Sequence, residues 1–396
     1  MCSHTRVLAR PLGLLLALAS MLAVGCETED GDGNTAQSAQ RVAIASWNAG
    51  LAYNFVPLTK ERRESVIAAA AGIDADVVCL QEVWTDDDVA AVTAAAKAKG
   101  FAHILVEPTK EDVAGLPTAC TAGDTKDLEP CATTECGKSD SLVACVQSKC
   151  GKQLAAISEG CFNCLVANLE KDLAGIFAAC AKGGGGAYSF GGHHGLMLLS
   201  KRGFAMTERT MLDSTLVRRA VLHARLEATA SAPALEVYCT HLTAGLSSVA
   251  YKGSMGSWEQ EQGAQIDALG KHIASSAKAG DAVVLLGDLN CGPDAGTKVK
   301  AEMGDNWKKI TALGFVDPYL TASDVDCTFC GDNTLVASGA DKGGEGALID
   351  HIALRGWTGK ASVSRILDQK VTIATSAGQA QSHVSDHFGL RALLTK

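Results

Sequence analysis

Short runs of apolar, β-branched residues alternate along the chain with longer segments in which apolar residues recur every three or four positions. Such runs are typical of buried strands, and the three-to-four spacing is typical of helices that pack on one face. The runs predict strands at residues 42–48, 76–82, 103–106, 195–200, 220–227, 235–242, 282–290, 348–354 and 388–394. The spacing predicts helices at residues 60–71, at 85–99 with Thr85 and Asp88 as a capping box, and at 259–277. This order indicates a mixed α/β fold.

The first 25 residues follow another pattern, in which Arg6 and Arg10 precede an apolar stretch too short to span a membrane stably. Residues 1–25 are therefore interpreted as a signal peptide. Residues 22–26, LAVGC, resemble the lipobox of bacterial lipoproteins, in which the cysteine, here Cys26, is lipidated. Ordinary signal cleavage at the same bond is the alternative. The polar residues 26–40 predict a flexible tether, and either interpretation predicts an exported protein: a cell-surface or periplasmic lipoprotein, or a secreted protein.

Eight of the 15 cysteines fall between residues 110 and 185, a segment bounded by Pro108 and by a run of glycines at 183–186. Dense cysteines in a small segment of an exported protein are typical of a disulfide framework. We interpret residues 110–185 as a cysteine-rich insertion into a domain that comprises residues 41–109 and 186–396. A pair of short helices joined by four disulfides is predicted there from the helical spacing of apolar residues: Cys161, Leu165, Leu169, Leu173, Ile176, Phe177 and Cys180.

Five further cysteines lie in the interrupted domain, so the odd number predicts an unpaired thiol. Cys327 and Cys330 lie in a polar loop and are predicted to form a disulfide. Cys79 lies in the middle of an apolar strand and is predicted to be a buried free thiol.

Polar residues suited to phosphate or metal chemistry stand at the ends of the predicted strands. One such residue alone is usually a solvated turn or a helix cap. Such residues at six strand ends, eight residues in all, are much harder to explain in that way. The candidates are Asn48, Glu82, His241, Asp288, Asn290, Asp350, Asp386 and His387.

This ordered set of motifs resembles the endonuclease/exonuclease/phosphatase superfamily, which has the DNase I-like fold. The resemblance implies a four-layered α/β sandwich, two mixed sheets face to face with helices outside, with a small disulfide-rich, helical insertion. It further implies that Glu82 binds a divalent cation with Asn48 nearby, and that Asp386 supports this metal side. Asp288 and Asn290 would activate the attacking water. His241 and His387 would contact the phosphate, and Asp350 would orient His387.

Phosphodiester hydrolysis needs these residue types for physical reasons. A hard cation held by carboxylate oxygens offsets the charge of the phosphate, and Mg²⁺ suits Glu82 better than zinc would, although other divalent cations remain possible. A carboxylate can act as general base, and imidazoles can donate to phosphate oxygens. The sequence departs from the family pattern at residues 191–195, GGHHG. In this region DNase I-type nucleases carry a glutamate that partners the histidine corresponding to His241. His193 or His194 could alternatively belong to a second metal site.

For the substrate, we rank a phospholipid first, a nucleic acid second and an inositol phosphate third. Residues 240–244, THLTA, are similar to the Thr-His-Leu-x-Ala of bacterial neutral sphingomyelinases, and the net charge of −9 disfavours a polyanion. A lipid anchor on Cys26 would keep the enzyme at a membrane surface. A secreted DNase-like nuclease is the alternative. A catalytically silent surface lipoprotein with a binding module is the alternative of another class.

The insertion carries seven basic and ten acidic residues, which does not suit a clamp for a phosphate backbone. Its apolar stripe is interpreted as internal packing rather than a membrane-binding face. In the fold that the resemblance implies, the connection between the strands at 103–106 and 195–200 lies beside the rim of the active-site edge. The insertion is therefore predicted to be a lid that restricts access to small or lipid head-group substrates.

Overall fold

The computed structural model describes residues 40–106, 119–183, 188–246, 249–338 and 345–396. The predicted signal peptide and nearly all of the predicted tether, Cys26 included, lie outside the described residues. Within the described residues, no helix is both long enough and apolar enough to cross a membrane.

Two mixed sheets form the centre of the fold. The first has six strands, in the spatial order β12 (Lys360–Ile366), β15 (Gly389–Thr395), β1 (Arg41–Asn48), β2 (Val77–Gln81), β4 (Met197–Ser200) and β3 (His103–Val106). The second has five strands, in the order β11 (Asp350–Arg355), β8 (Ala282–Asp288), β7 (Leu235–His241), β6 (Arg219–Leu226) and β5 (Met206–Leu212). In each sheet one central pair is parallel, β1 with β2 and β7 with β8. This pairing directs the carboxyl ends of both central pairs to an edge of their sheets.

Side-chain alternation explains the layers. On β1, Ile44 packs into the core between the two sheets, whereas Trp47 packs outward against helices. On β8, Leu286 faces the core between the sheets and Leu285 faces the helices on the other side. The outer layers are α1 (Thr59–Gly72) and α2 (Asp86–Ala98) on the first sheet, and α8 (Trp258–Ser276) and α9 (Gly304–Ala312) on the second. The predicted four-layered α/β sandwich is thus confirmed.

All nine predicted strands and all three predicted helices are present, with ends shifted by a few residues. Thr85 caps α2, since its Oγ1 accepts a hydrogen bond from the Asp88 amide at 3.1 Å. The prediction missed more polar or shorter elements: β5, β12, α9, α10 (Thr334–Ser338), β9 (Val299–Lys300), β10 (Gly346–Ala347), β13 (Val371–Thr375) and β14 (Gly378–Ser382). β5 and β12 alternate exposed and half-buried positions with few large apolar residues, so they lack the apolar run that marks a core strand.

The cysteine-rich insertion lies between β3 and β4 and is helical. Its described part, residues 119–183, contains five helices where the sequence predicts a pair, because the apolar spacing is interrupted by turns. They are α3 (Ala122–Cys136), α4 (Leu142–Lys149), α5 (Gly151–Ala156), α6 (Glu159–Ala167) and α7 (Leu173–Ala181). Four disulfides join them: Cys120–Cys161, Cys131–Cys150, Cys136–Cys145 and Cys164–Cys180. We call residues 119–183 the helical module.

The cysteines of the sandwich correct one prediction. Cys327 and Cys330 form the expected disulfide. Cys79, however, is not a free thiol, because it is bonded to Cys239 across the core between β2 and β7. Among the described residues the free cysteine is instead Cys291, which is buried. Cys79 faces the opposite sheet, and the sequence alone does not show which strand lies there.

Candidate active site

The sheet topology explains why the polar strand ends meet. His241 ends β7 and pairs in register with Asp288, which ends the parallel neighbour β8. Asp350 begins the antiparallel β11 and is also in register with Asp288. On the first sheet, Asn48 ends β1 and His387 lies just before β15, which runs antiparallel to β1. The carboxyl ends of β1, β7 and β8 and the amino ends of β11 and β15 thus lie at the same edge of the sandwich.

Two residues at this edge have unusual backbone conformations. Glu82 directly follows β2 with φ 58°, and Asn290 follows β8 with φ 48°. Both values lie in the left-handed region, which costs a residue with a side chain on the order of 1–3 kcal/mol. Such strain is typical of functional sites, and here it ends each strand with a polar side chain at the shared edge.

Asp288 is the centre of the polar cluster. Its Oδ2 accepts a hydrogen bond from Asn48 Nδ2 at 2.9 Å, and its Oδ1 accepts one from the Asn290 amide at 3.0 Å. Its Oδ2 also lies 3.4 Å from His241 Nε2 and 3.8 Å from His387 Nε2. Burial, together with the charge of Asp350, raises the pKa of Asp288 to about 6. One carboxylate therefore contacts both sheets and both histidines.

The two histidines have opposite electrostatic environments. Burial, reinforced by the positive charges of Arg219 and His387, lowers the pKa of His241 well below its ordinary value. Burial also opposes protonation of His387, but the charges of Asp350 and Asp288 outweigh it and raise its pKa well above the ordinary value. His387 Nδ1 lies 2.8 Å from Asp350 Oδ2, which fixes the ring. At neutral pH the site therefore combines a neutral His241 with a protonated His387.

The acidic side of the site fits a hard cation. Burial and the charge of Asp386 raise the pKa of Glu82 to about 7, so these carboxylates destabilise one another when no cation lies between them. Asp288, Asp350 and His387 also form a group whose potential ligand atoms all lie within 4.8 Å of one another. Oxygen ligands of this kind are those that Mg²⁺ and similar ions prefer. Glu82, with Asn48 and Asp386 beside it, thus has the donor atoms that suit a divalent cation.

A cavity of about 560 Å³ lies at this edge of the sandwich. Its polar end is lined by residues of the cluster: Glu82, His241, Asp288, Asn290, Asp386 and His387. Its remaining wall is largely apolar and includes Trp84, Phe190 and side chains of the helical module. The polar cluster and the cysteine-rich insertion therefore border the same cavity.

The family model of the endonuclease/exonuclease/phosphatase family matches residues 45–387. The chain belongs to this family. Its members hydrolyse phosphodiester bonds, many with the help of a divalent metal. No curated protein sequence matches the chain significantly.

Solved structures agree with this fold. Sphingomyelinase C from Streptomyces griseocarneus is 13% identical, with a TM-score of 0.52 over 89% of this chain and 98% of that one. Beta toxin from Staphylococcus aureus, a double mutant with bound magnesium ions, is 12% identical, with a TM-score of 0.53 over 89% and 99%. A family protein from Bacteroides thetaiotaomicron is 11% identical, with a TM-score of 0.51 over 90% and 98%. At these identities the likeness shows the DNase I-like fold.

This endonuclease/exonuclease/phosphatase domain also has a basic residue in its site that the sequence analysis did not single out. Arg219 begins β6, lines the cavity and is only 5% exposed. Burial lowers its pKa to about 10, although the charges of Glu82 and Asp288 oppose this. Its Nε and Nη1 have no hydrogen-bond partner among the described residues, so they are available to an anionic ligand. The sequence feature that could have indicated this residue is the pair Arg218-Arg219 directly before an apolar strand.

The histidines before β4 are not part of the cluster. His193 and His194 precede the strand, and in the described residues neither belongs to a group with metal-ligand geometry. His194 is buried, and burial with the charge of Arg218 lowers its pKa to about 4. In the part of the chain that the structure describes, His241 Nδ1 has no hydrogen-bond partner. The carboxylate that DNase I-type nucleases supply to this histidine thus has no replacement here among the described residues.

Side chains from neighbouring helices hold the loops of the site. On α8, Gln262 Nε2 donates to the backbone carbonyls of Thr243 (2.6 Å) and Asn290 (3.0 Å), and Gln265 Oε1 accepts from the Thr243 amide at 2.9 Å. On α1, the buried Arg62 donates to the carbonyl of Gly50 at 2.7 Å and to that of Val384. These bonds fix the segments that carry His241, Asn290 and Asp386. The sequence marked the two glutamines only by similarity and did not mark Arg62.

Proposed function

We propose that the protein is a divalent-cation-dependent phosphodiesterase that hydrolyses phospholipids in the manner of a phospholipase C. The observation that carries this choice is the wall of the cavity. Among its described lining residues Arg219 is the one arginine or lysine, and most of the others are apolar. Protein surfaces that bind a nucleic-acid backbone neutralise several phosphates with basic side chains. A single buried arginine instead suits one phosphate group attached to an apolar molecule.

Each polar residue of the cluster has one role in the proposed hydrolysis. Asp288 takes a proton from a water that Asn290 helps to hold, and the water oxygen attacks phosphorus. The bond between phosphorus and the lipid alcohol oxygen breaks, and that oxygen takes a proton from His387. Arg219 and the neutral His241 donate to the non-bridging phosphate oxygens. The products are a phosphomonoester and a free lipid alcohol.

Glu82, with Asn48 and Asp386, would hold the divalent cation, which we propose to be Mg²⁺. Such an ion supplies Lewis-acid stabilisation of charge on the phosphate oxygens. The magnesium ions bound in the beta toxin structure support this choice. Asp350 orients His387 and keeps it protonated through the short contact to Nδ1.

We further propose that the protein is exported and anchored to a membrane through a lipid on Cys26. Six disulfides in the described residues support an oxidising compartment, since such bonds are rare in the reducing cytosol. An anchor would hold the cavity near its phospholipid substrate. Mass spectrometry of the N-terminal peptide from membrane fractions tests this proposal, and an unmodified Cys26 would refute the anchor.

The central experiment offers purified mature protein four substrates side by side: sphingomyelin, phosphatidylcholine, plasmid DNA and inositol phosphates. We expect phosphocholine release from at least one of the lipids with Mg²⁺ present, and none after EDTA treatment. Glu82→Gln keeps the shape of the side chain but removes its charge, so it should raise the Mg²⁺ concentration needed for half-maximal rate. Cleavage of DNA without lipid hydrolysis would favour the nuclease alternative, and no activity on any substrate would favour a silent lipoprotein.

A further inference from the structure

Apolar residues of the helical module form two small buried clusters, one around Leu128 and Phe177 and one around Leu142 and Ile176, and a cavity lies beside them. Side chains from all five of its helices line the cavity that reaches the active site. Val143 and Val146 on α4 and Leu165 and Val166 on α6 are only partly buried, although they face inward on the cavity. A domain of this size normally packs such side chains tightly against one another. Most of the apolar stripe packs inside the module, as the sequence predicted, and five of its residues also line the cavity: Leu165, Leu169, Leu173, Ile176 and Phe177.

Disulfides explain how the module keeps this space. Cys136–Cys145 joins α3 to α4, Cys131–Cys150 joins α3 to the end of α4, and Cys164–Cys180 joins α6 to α7. Crosslinks restrict the unfolded chain and so stabilise a fold that buries little apolar area. The module can thus keep an open space beside its small core.

Hydrogen bonds hold the module at the mouth of the active site. Asn54, in the loop after β1, donates through Nδ2 to the carbonyls of Leu169 (2.5 Å) and Lys171 (2.6 Å). The Val143 amide donates to the Asn54 carbonyl at 3.0 Å. Beside this contact, Trp84 stacks on Phe190 with ring centroids 5.0 Å apart, and both rings line the cavity. Trp84 is two residues from Glu82, so the space in the module continues directly into the polar cluster.

We propose that the helical module is the binding site for one hydrocarbon chain of the phospholipid substrate. The phosphate lies at Asp288 and His387, and the chain on the leaving-alcohol side extends past Trp84 between α4 and α6. This assignment rests on the proposed phospholipid hydrolysis. Pockets of about 300–1,000 Å³ with mostly apolar walls and a few placed polar groups are typical of small-molecule sites, and this cavity has about 560 Å³.

A large apolar side chain at the rim supports a lipid over another apolar ligand. Phe55 lines the cavity and is 48% exposed, and it is next to the loop residue that binds the module. Its backbone carbonyl accepts a hydrogen bond from the Ser141 hydroxyl at 2.9 Å, so the module holds it in place. An exposed aromatic ring at a cavity mouth suits contact with a lipid surface.

The first test measures hydrolysis of alkylphosphocholines with four to eight chain carbons, below the concentrations at which they form micelles. Each buried methylene is worth about 0.8 kcal/mol, which corresponds to about a fourfold change. We expect kcat/KM of the wild type to rise with chain length by up to about this factor, and octyl to exceed butyl at least about tenfold. A flat series would overturn the proposal.

Val146→Phe fills the cavity from α4, and Ser148→Phe is its matched control at an exposed position of the same helix. The octyl-to-butyl ratio should fall at least about fivefold in Val146→Phe and stay within about twofold in Ser148→Phe. This ratio does not depend on the folded fraction of a preparation, so partial unfolding does not obscure it. An unchanged ratio in Val146→Phe would contradict the proposal.

The second test measures binding without catalysis. In the presence of EDTA, a lysophosphatidylcholine brominated on its acyl chain should quench the fluorescence of Trp84, and Trp84→Phe identifies that contribution. Quenching should be lost in Val146→Phe and kept in Ser148→Phe. Absent or unaffected quenching would refute the chain site. If quenching occurs but no alkylphosphocholine is hydrolysed, the proposed function fails and the chain site stands. If alkylphosphocholines are hydrolysed at rates that do not depend on chain length, the proposed function stands and the chain site fails.

Discussion

The core between the two sheets and the helical module differ in how they bury apolar side chains. Between the sheets, residues such as Leu198, Leu222 and Leu286 are completely buried, and one disulfide, Cys79–Cys239, crosses the cluster. In the module, four disulfides join helices that share only two small buried clusters, around Leu128 and Ile176, and Val146 and Leu165 beside them remain half-buried.

The difference shows that tight packing and disulfide crosslinking have different structural effects in this chain. Tight packing of the sandwich fixes strand ends, and with them the catalytic geometry, since a packed core tolerates little displacement. Crosslinking of the module leaves a shaped space beside that geometry. On the proposed function, the first part carries the reaction and the second borders the cavity that the substrate enters.

The largest expected effect comes from removing crosslinks. Loss of a disulfide destabilises by about 5 kcal/mol for a separation of 160 residues and by about 3 kcal/mol for one of 16, if loop entropy dominates. Cys79→Ala/Cys239→Ala should therefore lower the free energy of unfolding more than Cys164→Ala/Cys180→Ala. Urea unfolding, followed by fluorescence, measures both. Equal losses would show that native-state packing rather than loop entropy sets the contribution.

The next effect concerns the polar cluster of the sandwich. Asp288→Ala and His387→Ala should each lower kcat at least about a hundredfold, because a positioned base and a charged donor each contribute about that much. Both variants should keep the wild-type circular dichroism spectrum. His103→Ala, an exposed histidine on β3, is the control and should retain activity. Wild-type rates in folded Asp288→Ala would refute the site.

The sandwich was largely predictable because its core strands carry continuous apolar runs, such as that of β8. The candidate site was predictable for the same reason, since Asn48, His241 and Asp288 each end such a run. Their roles stay predictions. The polar strands β5 and β12 gave no comparable signal, because edge positions alternate exposed and half-buried residues.

Features that depend on long-range packing escaped the sequence analysis. The sequence predicts a free thiol at Cys79 because its disulfide partner lies 160 residues away on the other sheet. Arg219 looked like an ordinary basic residue at a strand start, and only the fold buries it beside Glu82 and Asp288. The space inside the module has no sequence signal, because core-packing and cavity-lining residues follow the same helical spacing.

A smaller effect tests whether the module selects substrates. Replacing residues 110–185 by a short Gly/Ser linker should keep hydrolysis of a small chromogenic phosphodiester within about threefold. Hydrolysis of the preferred lipid should fall about tenfold or more, because the apolar wall is lost. Steady-state rates on both substrates give the comparison. If both rates change by the same factor, the module is a structural appendage rather than a selective lid.

The smallest expected effect is a shift in the pH profile of kcat, which tests whether Asp350 acts by holding His387 in its protonated form. The charges of Asp350 and Asp288 raise the pKa of His387 against the effect of burial. Activity that needs protonated His387 is lost as the pH rises through this pKa. Asp350→Asn removes one charge, so the pKa falls and the alkaline limb of kcat should move to lower pH by about one unit or more.

Asp317 provides the matched control for this shift. It forms a similar buried pair with His351, the neighbour of Asp350 on β11, with Oδ2 2.7 Å from Nδ1, and this pair lies outside the polar cluster. Asp317→Asn should leave the alkaline limb in place even if it lowers stability, because the position of a limb does not depend on the amount of folded enzyme. An alkaline limb that is unmoved in Asp350→Asn would mean that His387 is not the group whose protonation limits the reaction, and the leaving oxygen would then need another proton donor.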